Sequence, residues 1–479
     1  MKETPLNKYI HTLASRFLAA IIILLLVCES FSYSNNSIAT ISANQTQAEP
    51  ITTLCINEVS NSEDFNKSKP SNLYAKYAAV IDGTNYRVLF EKDGFSPAAN
   101  ASTTKIMTIM IALEYGNLDQ LATVSKYAAT MPDVQLNINT GERYVLRDLL
   151  YSLMLQSHND SAVAIAENVA LTYLIDLQNI GETTLDSMNY TMSTFDPNTD
   201  FSTIDLATIS TEQSKEIVHI FATLMNLKAT TFGCTNTYFI TPNGLDAEDE
   251  NGKHSTTAVD LARIMAHCVQ NQDFLKITQT KSYSFTNQKA KDDGTFSAGS
   301  RSFTVNNANA FLQMMDGVIS GKTGFTGDAG YCYVCALKRD DNIFISVVLA
   351  CGWPGNKSYK WADTKKLLNF GIENYFDTNV FTYISDYKDI AVNNGITPTI
   401  KTYINSDVAM LLSRFDNVNI IYSLPETINA PVIANSTVGT ASIYINDELY
   451  CEFPIIAKSG SEKINFGYCL DKIIKGFLP

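Results

Sequence analysis

The sequence predicts an α+β fold, a layered domain of strands and helices followed by a small β-rich domain. Three observations carry this. Strand-like segments near residues 75–92 and 300–352 flank a block of helical periodicity. Strands separated in this way by a helical block are the pattern of a sheet packed against helices. Beyond Phe376 the composition shifts to short apolar runs broken by Asn, Asp, Gly and Pro, which read as a second, β-rich unit. With 479 residues, 45% hydrophobic and 18% charged, the chain is long enough for two or three domains and too apolar to be disordered.

Lys2, Lys8 and Arg16 precede an apolar run of 11 residues, Phe17 to Val27, and small polar residues follow at Ser30, Ser32 and Ser34. A basic flank, a short apolar core and a polar exit describe a secretory signal peptide over residues 1–34. The alternative is an uncleaved anchor, for which the run is short. Val27 before Cys28 is too large for a lipoprotein site. Residues 35–72, rich in Ser, Asn and Thr, read as a flexible linker.

The catalytic-size domain is expected over residues 73–376. Residues 75–82 (AKYAAVID) and 86–92 (YRVLFEK), joined through Gly83-Thr84-Asn85, predict a hairpin. Ile106, Ile109, Met110 and Leu113 recur at helical spacing, so a buried helix is expected with Ser102 at its start. Helical patterns continue over 146–156, 161–175, 214–229 and 255–269. Residues 172–216 are weakly periodic and read as a surface insertion. Residues 301–307, 330–338 and 344–351 read as strands, and 361–376 as a closing helix. The β-rich domain spans 377–460. In the tail, 461–479, Phe466, Cys469, Leu470, Ile473, Ile474 and Phe477 fall on one helical stripe. That suits a helix lying on a membrane surface, or one packed on the β-domain.

Acidic residues outnumber basic ones, 49 to 35, for a net charge of −14, which argues against nucleic acid as a partner. The nine cysteines are scattered, unlike a disulfide framework. Cys332 and Cys335 have CxxC spacing, but on a strand their side chains point to opposite faces, so buried core cysteines are expected. With five histidines and no His/Cys cluster, no metal or cofactor is implied.

Three short motifs carry the chemistry. Ser102 and Lys105 stand three residues apart at a helix start, where their side chains can meet. Serine needs a base to act as a nucleophile, and a lysine kept neutral by burial can serve. Ser157-His158-Asn159 lies between two helical segments. Ser157 could relay a proton and Asn159 could bind a substrate carbonyl or hold the lysine, although this triplet could equally be an ordinary helix cap. Lys322-Thr323-Gly324-Phe325 opens a strand. The glycine lets a substrate backbone approach, the lysine and threonine suit a carboxylate, and the Phe325 N–H with that of Ser102 suits an oxyanion.

Each motif alone is weak, but the set SxxK, SxN and KTG in this order is that of penicillin-binding proteins and serine β-lactamases. The runs 77–108, 235–246, 254–265 and 321–349 resemble the low-molecular-weight D-alanyl-D-alanine carboxypeptidases, and 428–446 is similar to that family's C-terminal module. The resemblance implies a β-lactamase/transpeptidase-like domain, with an antiparallel sheet, helices on both its faces and a helical block. It implies that Ser102 attacks the penultimate D-Ala carbonyl of a peptidoglycan stem peptide ending in D-Ala-D-Ala. Lys105 is then the base and Ser157 the proton relay. Lys322 and Thr323 hold the terminal carboxylate, and Asn159 holds the substrate amide. β-Lactams acylate Ser102 as mimics, and the enzyme works outside the cytoplasm, at the cell wall or the outer face of the cytoplasmic membrane.

Three departures from the family pattern stand out. They are the insertion, the VISGKTG context that shifts a glycine to Gly321, and His158 at a position usually small; a passive role is expected for His158. His254, Asp246 and Asp260 read as structural. A transpeptidase or endopeptidase shares the motifs and differs only in the acceptor. A class A β-lactamase would need an ExxLN stretch, which is lacking, and a non-catalytic wall-binding protein would not need all three motifs intact.

Overall fold

The computed structural model describes residues 52–54, 68–181, 192–291 and 295–477. The expected signal peptide lies outside them. The described residues fall into two units, the larger within Cys55–Thr382 and Asp407–Asn417, the smaller including Tyr383–Ser406 and the chain from Val418 on.

The larger unit is built on a five-stranded antiparallel sheet. Its strands are β1 (Tyr77–Asp82), β2 (Val88–Lys92), β3 (Val318–Thr326), β4 (Gly330–Arg339) and β5 (Asn342–Leu349), in the order β3-β4-β5-β1-β2. The period-two alternation of its residues sends them into two separate cores. Ala79, Ile81, Cys332, Val334, Ile345 and Val347 pack in one cluster, while Ala78, Val80, Tyr333, Cys335, Phe344 and Val348 pack in the other. The first cluster is shared with helices α1 (Lys105–Tyr115), α2 (Leu146–Leu155), α3 (Asn159–Asn179), α4 (Thr211–Thr231) and α5 (Ala258–Cys268). The second is closed by Leu367, Leu368 and Phe370 of α6 (Tyr359–Asn374). The sheet therefore has helices on both faces. Cys332 and Cys335 are free thiols buried on opposite sides of it.

Residues 172–216 carry the end of one helix and the start of the next. Helix α3 runs on to Asn179, and α4 begins at Thr211 behind a Ser210–Gln213 capping box. Phe195 and Leu206 are buried in the main core, and Glu216 accepts from the N–H and hydroxyl groups of Ser193 and Thr194. The polar composition hides these few anchors. Strands Ser282–Ala290 and Phe296–Asn306 pair with each other, in a separate four-stranded sheet with Leu121–Thr123 and Arg143–Val145. The sequence reading missed the first of these strands.

By compactness the units divide at Thr382–Tyr383, and Asp407–Asn417 belongs with the larger one. Strand Tyr375–Phe381 pairs with Val408–Ser413, a long-range pairing that composition does not reveal. The smaller unit holds a seven-stranded sheet with strands Val418–Ser423, Thr437–Ile445 and Glu448–Ala457 at its centre. Thr52–Leu54, expected as linker, pairs antiparallel with Val418–Ser423 at the edge of this sheet. The tail forms α7 (Phe466–Phe477), and Phe466, Leu470, Ile473 and Ile474 are exposed. Cys469, on the same stripe, is exposed too. No helix among the described residues is long and apolar enough to cross a membrane.

Candidate active site

Ser102 sits in a 3-10 turn, Ala101–Thr104, that runs into α1, so it lies just before the α-helix and not in its first turn. Ala101 has φ 49°, a left-handed conformation costly for alanine. The turn is held by Thr103, whose N–H and hydroxyl both donate to the Asn100 carbonyl, at 3.2 and 2.6 Å. Lys105, one residue further, is wholly buried. Its Nζ lies 2.7 Å from Ser102 Oγ, 2.8 Å from Asn159 Oδ1 and 2.8 Å from the Asn243 carbonyl oxygen.

Asn159 opens α3, and its Nδ2 donates to the Pro132 and Asp133 carbonyls. Ser157 takes φ 67° in the tight link between α2 and α3. Its Oγ accepts from Lys322 Nζ at 2.8 Å, and Lys322 also donates to the Thr323 carbonyl at 2.7 Å. Lys322, Thr323, Gly324 and Phe325 belong to β3, one of the two edge strands of the sheet. Gly324 lies against the Ser102 turn so closely that a Cβ there would stand 2.9 Å from Ser102 N and 3.0 Å from the Asn100 carbonyl oxygen. Glycine is required by that approach, not by its own dihedral angles. The Phe325 side chain is partly exposed and rests on Tyr331. The displaced glycine of VISGKTG coincides with a register shift between Val318 and Ser320.

The structure thus brings Ser102, Lys105, Ser157, Asn159, Lys322 and Gly324 together, through contacts among them or to shared neighbours. The electrostatics follow from burial. Desolvation first, and the charge of Lys322 second, hold Lys105 well below the ordinary lysine range, with Asp160 opposing. Burial pushes Lys322 down to about 7. Lys105 Nζ donates to Ser102 Oγ, Asn159 Oδ1 and the Asn243 carbonyl; a lysine that gives up one of its three protons can keep the bonds to Asn159 and Asn243 and turn its lone pair to the Ser102 hydroxyl.

One contributor escaped the sequence reading, the Asn243 main-chain carbonyl, which faces both Lys105 and, at 3.3 Å, Ser102 Oγ. The following Gly244 has φ 81°, and a Cβ there would fall 2.0 Å from the Ala101 carbonyl oxygen. The Pro242-Asn243-Gly244 turn was the available signal. His158 is buried and bonded through Nδ1 to Ser152 Oγ at 2.7 Å, and has no hydrogen bond to Ser102, Lys105 or Lys322, as a packing residue would be. Asp260 accepts from the Asn236 N–H and the Thr237 hydroxyl, a structural duty, while Asp246 accepts from Thr326.

A family model described as D-alanyl-D-alanine carboxypeptidase matches residues 63–174 and 202–352, more than half of the chain. The chain belongs to this family. A second model, the C-terminal domain of penicillin-binding protein 5, matches 378–463. Relatives of this family member include the D-alanyl-D-alanine carboxypeptidase DacF of Bacillus subtilis, 25% identical over 402 residues, 82% of this chain and 87% of the relative. Another is a D-alanyl-D-alanine carboxypeptidase of a Streptomyces species, 27% identical over 311 residues, 64% of this chain and 89% of the relative. Penicillin binding protein 5 from Haemophilus influenzae shares the fold, with a TM-score of 0.57 at 21% identity over 82% of this chain and 99% of that one. All three chemical motifs lie within the first match, and the break between its two parts, 175–201, falls inside the expected insertion.

Proposed function

We propose that this member of the D-alanyl-D-alanine carboxypeptidase family removes the terminal D-Ala from peptidoglycan stem peptides through an acyl-enzyme on Ser102. The observation that carries the reading is the buried Lys105 Nζ, 2.7 Å from Ser102 Oγ and depressed toward its neutral form. The Ser102 hydroxyl gives its proton to Lys105 as Oγ bonds to the penultimate D-Ala carbonyl carbon. The oxyanion meets the main-chain N–H groups of Ser102 and Phe325. As the C–N bond breaks, the departing amine of D-Ala takes a proton through Ser157, which Lys322 holds at 2.8 Å. Lys322 and Thr323 receive the terminal carboxylate. Asn159 is occupied in holding Lys105, and any contact with the substrate amide comes second. Water then attacks the ester carbonyl, freeing Ser102 and the shortened stem. A β-lactam enters the same sequence, its ring C–N bond opening as Ser102 is acylated.

The work site is extracytoplasmic, at the wall or the outer face of the membrane. The unburied apolar stripe of α7 supports peripheral membrane contact through the tail. The deciding experiment combines D-Ala release from a peptide ending in D-Ala-D-Ala with intact mass after penicillin treatment. Release together with one penicilloyl adduct on Ser102 is expected. A folded protein giving neither overturns the proposal. Fast penicillin turnover would make it a β-lactamase, and transfer to an added amine acceptor in preference to water would make it a transpeptidase.

A further inference from the structure

His254 was read from sequence as structural, but its two ring nitrogens make two different connections. Nδ1 lies 3.0 Å from the Ile240 N–H and 3.3 Å from the Thr241 N–H. Main-chain N–H groups only donate, so Nδ1 accepts and carries no proton. In the neutral ring the proton is then on Nε2, which donates to Thr104 Oγ1 at 2.9 Å. The tautomer is set by the partners. The side chain is buried, and burial holds its pKa down at about 4, so the ring stays neutral over the working range.

The connected pieces are the two halves of the nucleophile's surroundings. Ile240 and Thr241 lead directly into Asn243, whose carbonyl faces Lys105 and Ser102. Thr104 lies between Ser102 and Lys105 in the same short turn. Besides His254, the loop is tied to α1 by Thr108, whose hydroxyl donates to the Pro242 carbonyl at 2.6 Å. That second tie comes from a residue six places beyond Ser102, whereas His254 bonds to Thr104, in the turn that carries Ser102 itself.

Resting on the reading that Ser102 is the nucleophile, we infer that His254 is a positioning residue for acylation. It sets the Asn243 carbonyl at the distance from Lys105 Nζ that aims the lysine lone pair at Ser102. It touches neither substrate nor the reacting atoms. The carboxylate-binding groups, Lys322 and Thr323, are on β3, and no hydrogen bond from His254 reaches them. Its loss should therefore slow the chemical step and leave binding alone. Misplacement of a reacting group by about 1 Å costs roughly 100-fold in rate.

Fluorescent penicillin acylation is measured by stopped flow in the full chain, separating the saturating rate from the half-saturating concentration, with the fraction of active sites titrated in each variant. His254→Asn keeps an acceptor for the loop but does not reach Thr104. His254→Gln reaches Thr104 but abandons the loop. Each should lower the saturating rate about 10-fold and His254→Leu about 100-fold, with half-saturation within twofold of the parent. In a Thr104→Val background, His254→Asn should cost almost nothing further, because the bond it breaks is already gone. A merely structural role would reduce the titratable fraction and leave the surviving sites acylating at the parent rate, and that result overturns the inference. So does a saturating rate within twofold of the parent for both His254→Asn and His254→Gln. If His254→Leu does not fold, the Asn, Gln and Thr104→Val variants decide. A parent chain that is itself not acylated would instead refute the proposed function.

Discussion

Replacing Glu167 by glutamine should stabilise the larger unit, and the gain should grow with pH. Glu167 lies on α3 with no exposed surface. Its Oε1 accepts from Ser125 Oγ at 2.8 Å, and its Oε2 has no hydrogen-bond partner, although the Ser214 hydroxyl is near. No cation offsets the burial, which pushes the carboxyl up from 4.5 to about 8. Unfolded, the same group ionises near its ordinary value. The folded state therefore binds the proton more tightly. Stability from this group is intact below pH 4.5, is lost as pH rises toward 8, and is level beyond. The cost works out at about 1 kcal/mol at pH 5, about 3 at pH 7 and about 5 at pH 9. An amide of the same shape has no such slope. Urea unfolding followed by tryptophan fluorescence reads the larger unit alone, because both tryptophans, Trp353 and Trp361, belong to it. The difference between Glu167→Gln and parent should shift in the variant's favour by about 4 kcal/mol between pH 5 and pH 9. A difference independent of pH, or one that turns against glutamine at pH 9, would refute the reasoning.

Ser102→Ala should abolish covalent labelling by fluorescent penicillin on gels, while Cys332→Ala keeps it, since that thiol is buried in the core. Lys322 is pushed down to about 7, so its charge fades as pH rises through that value; KM for a peptide ending in a free carboxylate should climb above pH 7, whereas a substrate lacking that carboxylate shows no rise. Gly324→Ala should slow acylation at least about 10-fold with little change in melting temperature, because β3 must withdraw from the Ser102 turn; an unchanged rate in stopped flow would contradict the contact. Deleting residues 462–479 should move the protein from membrane to soluble fractions, and an unaltered distribution would remove α7 as the anchor.

Much of this protein was legible before folding was considered, and the reason is locality. The helix at Ile106, the hairpin at 75–92 and the strand holding Cys332 and Cys335 are written in short-range periodicity, which any segment carries by itself. SxxK could be read as a contact because three residues on a helical turn already face one another, and Lys105 does meet Ser102. The alternation of core residues along β4 likewise follows from the pleat, whatever the sheet packs against. Other features depend on residues distant in sequence. Neither the pairing of Tyr375–Phe381 with Val408–Ser413 nor the burial of Phe195 has a local signature, because each depends on residues far away along the chain. The choice of Asn159 as a holder of Lys105, the Asn243 carbonyl beside it and the bridge through His254 depend on loops more than 50 residues apart in the chain arriving at one nitrogen or one hydroxyl. The sequence alone identified which groups could do the chemistry. Only the tertiary structure decided how tightly their protons are held, because packing strips the water that favours a charged lysine, and packing belongs to the whole fold.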